Sequence, residues 1–325
     1  MKILPISVVI PTLNRAHALE RTVACLMSQD CVPQQIIVVD QSQEPAVRVA
    51  NQDVLSAYAS VVSTKYMFQS EASLTKARNL GVQHCECDIV IFSDDDVDVN
   101  ADTLSNVFEI MQDDMVALIG GLNDSSRIEV NTSRSLYNIM GYAWGTKSYI
   151  HRDKGYVTLS MLGRYPDSIS DQVDTMWAMG YFFVIRKTLV DRWRVAWDER
   201  LTGYAYPEDL DFSYSYCKRA RRENLRAILD SRVRVRHLAS KEYRIPSLKV
   251  TYMYVINREY LSYKHHQGGL GFVSRLATRW TNFGMFILRL LQRQNARDLL
   301  LAQRRCDMNR NAIKIGQISA EFYKE

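Results

Sequence analysis

Three stretches of the chain are apolar almost without a break: ISVVI at 6–10, IIVVD at 36–40 up to its final Asp, and DIVIF at 88–92 after its initial Asp. They are rich in β-branched residues and show no polar alternation, the pattern of strands covered on both faces. Between the first two lies AHALERTVACLMSQ, where Leu19, Val23, Leu26 and Met27 recur at i, i+4, i+7 and i+8 and mark one face of a helix. LTKARNLGVQHC at 74–85 predicts a second helix. Strands alternating with helices predict an α/β fold whose mostly parallel central sheet is flanked by helices. In such sheets ligands bind beyond the carboxyl ends of the strands.

The polar residues at those ends therefore matter. PTLNR follows the first strand, Asp40 ends the second, and Asp94, Asp95 and Asp96 follow the third. Each alone is ordinary turn chemistry, but the predicted sheet gathers all of them on one rim. Adjacent carboxylates raise one another's pKa unless a cation neutralises them. A D-x-D pair at Asp94 and Asp96 suits Mg²⁺ or Mn²⁺, which take one or two carboxylates and leave positions for substrate phosphates. A solvated acidic turn, with Asp98 and Asp102 nearby, is the competing reading; the direct run from a buried strand into the cluster speaks against it. Neither GxxxxGK[ST] nor GxGxxG occurs, so phosphates would be held by metal and not by a glycine cradle.

At 325 residues, 47% hydrophobic and 24% charged, the chain is globular and long enough to bury a sizeable core. Its six cysteines are scattered with no CxxC spacing, which points to reduced thiols in a cytosolic protein. The N-terminal run lacks a signal-peptide core, because Pro5 and Pro11 bracket it. The longest later candidate, FGMFILRLL at 283–291, is too short to span a bilayer and carries Arg289. The net charge of +5 is uneven: residues 241–325 hold 15 Lys/Arg against 6 Asp/Glu, a net of +9, which leaves −4 for the first 240.

In the second half, YPEDLDFSYSYC predicts a helix with Pro207 at its first position and Glu208 and Asp209 in its first turn. Leu210, Tyr214 and Cys217 would share one face. Acids there complement the helix dipole; one of Asp209, Glu208 or Asp211 is equally a candidate general base. GYFFVIRK predicts a strand opened by Gly180, and RVRVRH, with Val233 and Val235 alternating with arginines, predicts an exposed edge strand ending at His237. The tail reads as helices, YMYVINREYLSYKHH and then RLATRWTNFGMFILRLLQRQNARDLLLAQRR. The second mixes apolar clusters with Arg at near-helical spacing, suited either to a membrane surface or to packing with its Arg face in water. No nucleic-acid recognition module is recognisable, so nucleic acid is not an expected partner.

SVVIPTLNR, IIVVDQS, LTKARNLGV, IVIFSDDDVDVNADTL, MGYFFVIRKTLV, WDERLTGYAYPEDLDFSYSYCKRA and VRHLAS, in that order, resemble family-2 glycosyltransferases of the GT-A fold over residues 5–240. The resemblance implies a GT-A catalytic domain at 1–240, with a nucleotide-sugar half at about 1–120 and an acceptor half at about 121–240. A basic helical extension would occupy 241–325. It implies an inverting transfer from a nucleotide-diphosphate sugar, UDP-linked in the expected case, to a hydroxyl of a glycan or lipid-linked acceptor in bacterial surface polysaccharide synthesis. The enzyme would be cytoplasmic or peripheral on the inner face of the plasma membrane. By similarity Pro11, Thr12 and Asn14 line the nucleoside pocket, Asp40 hydrogen-bonds the base, and Arg78 and Asn79 lie near the nucleotide, the Arg on phosphate. Asp94 and Asp96 match the positions contacting ribose and metal, with Asp95 beside them at the nucleotide; Ser93 replaces a more usual apolar residue. Asp209 matches the general base, with Glu208 the alternative. Trp177, Gly180 and Tyr181 border the donor and acceptor pocket, Asp198 and Glu199 match a conserved loop, and His237 completes the metal site or contacts diphosphate. A nucleotidyltransferase is the rival enzyme, although PTLNRAHALE lacks the glycine its loop would need. A non-catalytic nucleotide-sugar-binding protein of the same fold is the rival of a different class.

Overall fold

The computed structural model describes residues 2–124, 144, 153–166, 169–238 and 247–324. The apolar segments form neighbouring parallel strands: β1 (Lys2–Thr12) lies between β2 (Cys31–Asp40) and β4 (Ile89–Ser93), and β3 (Ser63–Phe68) flanks β2. Successive side chains of a strand point to opposite faces. Ile6, Val8 and Ile10 accordingly enter one core cluster while Val9 enters another, and Ile36 and Val38 are separated from Ile37 and Val39 in the same way. Both faces are buried, which is why these strands carry no polar alternation. One face is covered by α1 (Ala16–Met27), α2 (Pro45–Ser56) and the later α4 (Thr103–Ile110). The other is covered by α3 (Leu74–Gln83), α5 (Lys187–Trp193) and α6 (Glu208–Arg222).

The sheet extends through β5 (Val97–Val99), β6 (Val116–Asn123), β9 (Gln172–Asp174), β10 (Phe182–Arg186) and β11 (Arg226–His237), in the order β3-β2-β1-β4-β10-β6-β11-β5, with β9 also on β11. A separate hairpin pairs β7 (Tyr156–Val157) with β8 (Gly163–Arg164). β10 runs antiparallel to both β4 and β6, and β5 and β9 run antiparallel to β11. β11 is not the exposed edge its arginine alternation predicts. It is paired with β6 on one side and with β5 and β9 on the other, and Val233 and Val235 are fully buried. Its arginines face outward onto acids: Arg232 on Glu109, Arg234 on Asp124 and Arg236 on Asp98.

This topology builds the rim. Parallel β1, β2 and β4 bring their carboxyl ends together, while antiparallel β10 brings its amino end, pairing Phe182 with Ser93. The chain leaving Asp96 returns as β5, whose Val97 pairs with His237 at the end of β11.

The tail is helical, as expected: α7 (Ser247–His265), α8 (Gly268–Leu291), α9 (Arg297–Met308) and α10 (Arg310–Lys314). α7 is buried on most sides, with Tyr252, Met253, Val255, Ile256, Tyr260 and Leu261 all in a third core cluster. That cluster also contains Leu210 and Tyr214 of α6, and Leu299, Ala302 and Cys306 of α9. α7 therefore shares a core with the helix that carries Asp209, and α8 and α9 pack over it. All six cysteines are free thiols. Among the described residues no helix is long and apolar enough to cross a membrane.

Candidate active site

Asp94, Asp95 and Asp96 leave β4 in three directions. Asp95 turns inward: its Oδ2 accepts from the Thr12 hydroxyl at 2.7 Å and its Oδ1 from Arg15 Nη1 at 3.0 Å. Burial pushes its carboxyl up to about 7, against the pull of Arg15 and Thr12. It fastens the end of β1 to the acidic turn. Asp96 faces His237, whose Nε2 lies 3.1 Å from Asp96 Oδ1, and Arg15 Nη1 is 3.4 Å from Asp96 Oδ2. The hydrogen bond to Asp96 raises the His237 pKa above its ordinary value, outweighing burial. Tyr181 fixes the imidazole from behind, its ring stacked at 5.4 Å and its hydroxyl donating to the Gly121 carbonyl at 2.9 Å. Asp94 stays partly exposed on the rim, and burial raises its carboxyl against the pull of Arg78.

Asp94, Asp96 and His237 present ligand atoms that all lie within 4.8 Å of one another. Two carboxylates and one imidazole fit a divalent cation, and the partly exposed Asp94 and His237 leave it open to a further ligand.

Arg78 joins this centre to the candidate base. Its guanidinium is buried, with Nη2 on Asp94 Oδ1 at 2.9 Å and on the Gly180 carbonyl at 3.0 Å, and Nη1 on Glu208 Oε1 at 2.9 Å. It lies 4.5 Å over the Trp197 ring. The terminal nitrogens of Arg78 are thus held by two carboxylates and a carbonyl, and protein encloses the guanidinium. Asn79 is bonded within the protein. Its Nδ2 donates to the Trp197 carbonyl at 3.0 Å and to Glu199 at 2.9 Å, and its Oδ1 accepts from the Trp197 amide at 2.9 Å. Asn79 thus pins the 197–199 loop, and that loop supplies the ring beneath Arg78.

Gly180 is the next link. Its amide donates to Asp209 Oδ2 at 2.8 Å, and the Leu210 amide donates to Asp209 Oδ1 at 2.7 Å. A Cβ on Gly180 would meet Asp209 Cβ at 2.9 Å and Arg78 Nη2 at 3.2 Å, so only glycine allows this approach. α6 begins at Glu208, with Pro207 one position earlier than predicted. Burial raises both Glu208 and Asp209. They differ in access: Glu208 is buried against Arg78, whereas Asp209 is partly exposed. Asp211 is buried on Lys264 and His265, away from the rim.

The remaining expected residues divide. Pro11, next to last in β1, pairs with Val39, and Asn14, with φ of 56°, donates its amide to the Ser42 hydroxyl while its buried Oδ1 has no hydrogen-bond partner among the described residues. Asp40 is fully buried: Oδ1 accepts from the Ser42 amide, and Oδ2 from Asn51 and from the Tyr66 hydroxyl. It braces the wall beneath Asn14, and a base could use only what remains of Oδ1. Trp177 is buried, with Nε1 on the Arg164 carbonyl at 3.0 Å and its ring packed on Tyr165 at 5.0 Å. Sequence reasoning missed Arg15, Trp197 and Gly121. Arg15 stands next to Asn14 in PTLNR and had a signal; the other two act through contacts that no local pattern marks.

The family model for "Glycosyl transferase family 2" matches residues 7–194. A chondroitin synthase from Escherichia coli is 31% identical over 136 residues, which is 41% of this chain and 18% of that protein. This chain thus spans under a fifth of the length of that curated relative. Among solved structures, the mannosyltransferase PcManGT from Pyrobaculum calidifontis, in complex with GDP-Man and Mn²⁺, aligns over 98% of this chain and 84% of its own with a TM-score of 0.55 and 14% identity. S. aureus TarS 1–349 in complex with UDP-GlcNAc aligns over 98% and 91% with a TM-score of 0.52 and 15% identity. GalNAc-T7 with UDP, GalNAc and Mn²⁺ aligns over 86% and 54% at the same TM-score and 17% identity. These neighbours establish the GT-A fold, and the family match removes the nucleotidyltransferase alternative. The chain belongs to glycosyl transferase family 2.

Proposed function

We propose that the protein transfers a sugar, with inversion, from a nucleotide-diphosphate donor to a hydroxyl of a glycan or lipid-linked acceptor, using Asp209 as general base. The observation that carries this reading is the continuous link from the Asp94, Asp96 and His237 cluster through Arg78 and Gly180 to Asp209. It would hold a cation and a carboxylate on one frame, as an in-line displacement requires.

A divalent cation held by Asp94, Asp96 and His237 would supply Lewis-acid neutralisation of the departing diphosphate. An imidazole in the set favours manganese over magnesium, which prefers oxygen ligands throughout. Asp209 takes the acceptor proton. Each of its oxygens accepts one backbone N–H and keeps a lone pair, and burial raises its basicity. Glu208 instead neutralises Arg78 and keeps the frame in place. The nucleoside side of the pocket is formed by Pro11, Thr12 and Asn14, with the unpaired Asn14 Oδ1 available to a donor on the nucleotide. A uridine donor is supported by the UDP and UDP-GlcNAc complexes of two structural neighbours, and a bacterial surface polysaccharide by the similarity to chondroitin synthase.

The test is nucleoside-diphosphate release from UDP-, GDP- and TDP-linked sugars in the presence of a mixed glycan acceptor, with Mn²⁺ or EDTA. Release with one donor class that EDTA stops and Asp209→Asn abolishes supports the reading. Release that persists in Asp209→Asn, or that is indifferent to EDTA, overturns it.

A further inference from the structure

The site described above leaves the outer face of the C-terminal helices without a role. Phe272, Leu276, Trp280, Phe283, Leu290 and Leu291 of α8 are each more than half exposed, and Val273 is nearly so. At about 100° per residue these positions fall within a single stripe. It carries no charge, and from Phe272 to Leu291 it runs about 29 Å at helical rise. The opposite face of α8, with Ser274, Thr278, Thr281 and Leu288, is buried. α9 packs beside it, Asn282 donating to Gln303 across the pair, and buries Leu299, Ala302 and Cys306 while exposing Leu300, Leu301 and Met308. Each helix thus buries one face and leaves apolar side chains exposed on the other.

Charge selects the occupant. From Tyr260 through Arg297 the chain contains no Asp or Glu. Arg293, Arg297 and Arg304 are exposed at the α8–α9 turn and along α9, and among the described residues none of them pairs with a carboxylate. A second copy fits poorly, because a two-fold interface would set these arginines near one another. An apolar stripe with aromatic members and an arginine fringe matches the interface of an anionic bilayer, where such a helix lies in the plane with its apolar side in the acyl boundary.

We infer that the outer face of α8 and α9 docks the protein on an anionic lipid surface, with α8 lying in the membrane plane. This docking needs neither donor nor metal, so it stands or falls independently of sugar transfer.

The experiment is co-sedimentation of the full chain with phosphatidylcholine vesicles and with vesicles containing added phosphatidylglycerol. Binding to the anionic vesicles is expected to be about tenfold stronger or more and to weaken as salt is raised. Leu276→Asp with Phe283→Asp should abolish binding to both vesicle types, while Arg293→Glu with Arg297→Glu should remove only the anionic preference. Far-ultraviolet circular dichroism and thermal melting confirm that each variant is folded. Absence of binding to either vesicle by the wild-type chain overturns the inference. So does a dimer, seen by light scattering, that Leu276→Asp dissolves.

Discussion

Asp209 and Glu208 are adjacent carboxylates at one helix start, yet their surroundings assign them different work. Glu208 is buried on Arg78, and Asp209 is partly exposed with both oxygens on backbone amides. Asp209→Asn should lower kcat by about 10²–10⁴-fold, the usual contribution of a general base, while leaving donor affinity unchanged. Glu208→Gln should act differently, leaving the buried Arg78 short of a charge partner and lowering stability as well as turnover. Steady-state kinetics and urea denaturation of the two variants separate these roles. Gly180→Ala would place a methyl 2.9 Å from Asp209 Cβ; kcat should fall while the KM for the donor changes little. At this scale the sequence was informative about which residue types gather at the rim. It was silent on where their hydrogen bonds end. KARN in a helix reads as a free basic face, and only the fold shows Arg78 enclosed by Asp94, Glu208 and Gly180, and Asn79 spent on a loop more than a hundred residues away.

Among elements, the strands with the plainest patterns were the legible ones. β1, β2 and β4 are buried on both faces, and their unbroken apolar runs announce it. β3, with partly exposed STKYMF, offered no comparable pattern, and the arginines of β11 suggested an edge that β5 and β9 in fact cover. The junction of α6 and α7 was equally hidden. There Asp211 accepts from Lys264 at 2.7 Å and pairs with His265 at 2.8 Å, Lys264 also reaches Asp198, and Lys218 approaches the other His265 nitrogen at 2.9 Å. Asp198 accepts in addition from Arg200 and Tyr260. Burial pushes His265 below its ordinary value despite Asp211. Burial opposes ionisation of Asp211 and Asp198, but their cationic partners win and hold both carboxyls low. As pH falls below about 6.5 the unfolded His265 takes up its proton before the folded one, so stability should begin to drop there. The two aspartates contribute above about 4, and their share should disappear as pH falls further, through their depressed folded values. A melting-temperature profile against pH should show both declines, and Asp211→Asn should flatten the lower one. Asn79→Ala, which strips the Trp197 amide of its acceptor inside the protein, should cost about 1–3 kcal/mol in urea denaturation.

On the scale of the whole molecule, the chain divides its charge between an acidic-leaning body and a basic tail, and the tail is not a detachable ornament. α7 contributes Tyr252, Met253, Val255, Ile256 and Leu261 to the core that also holds Leu210 and Tyr214. Removing residues from 247 onward should therefore yield insoluble or strongly destabilised protein, even though the family match ends at residue 194; soluble yield and melting temperature of the truncated chain check this. The sequence marked the tail as helical but could not show α7 in the core, because a helix buried nearly all round lacks the one-sided stripe that reports burial. The most direct measurement of the central claim is the melting temperature of the purified protein with UDP, GDP, TDP or CDP, each with Mn²⁺, Mg²⁺ or EDTA, alongside Asp96→Ala and His237→Ala. Ligands that bind only the folded state raise its stability by mass action. A nucleotide-specific rise that requires Mn²⁺ and is lost in both variants is the expected result. A folded protein that shows no rise with any nucleotide, or a rise that both variants retain, would contradict the assignment of the Asp94, Asp96 and His237 cluster as the donor's cation site.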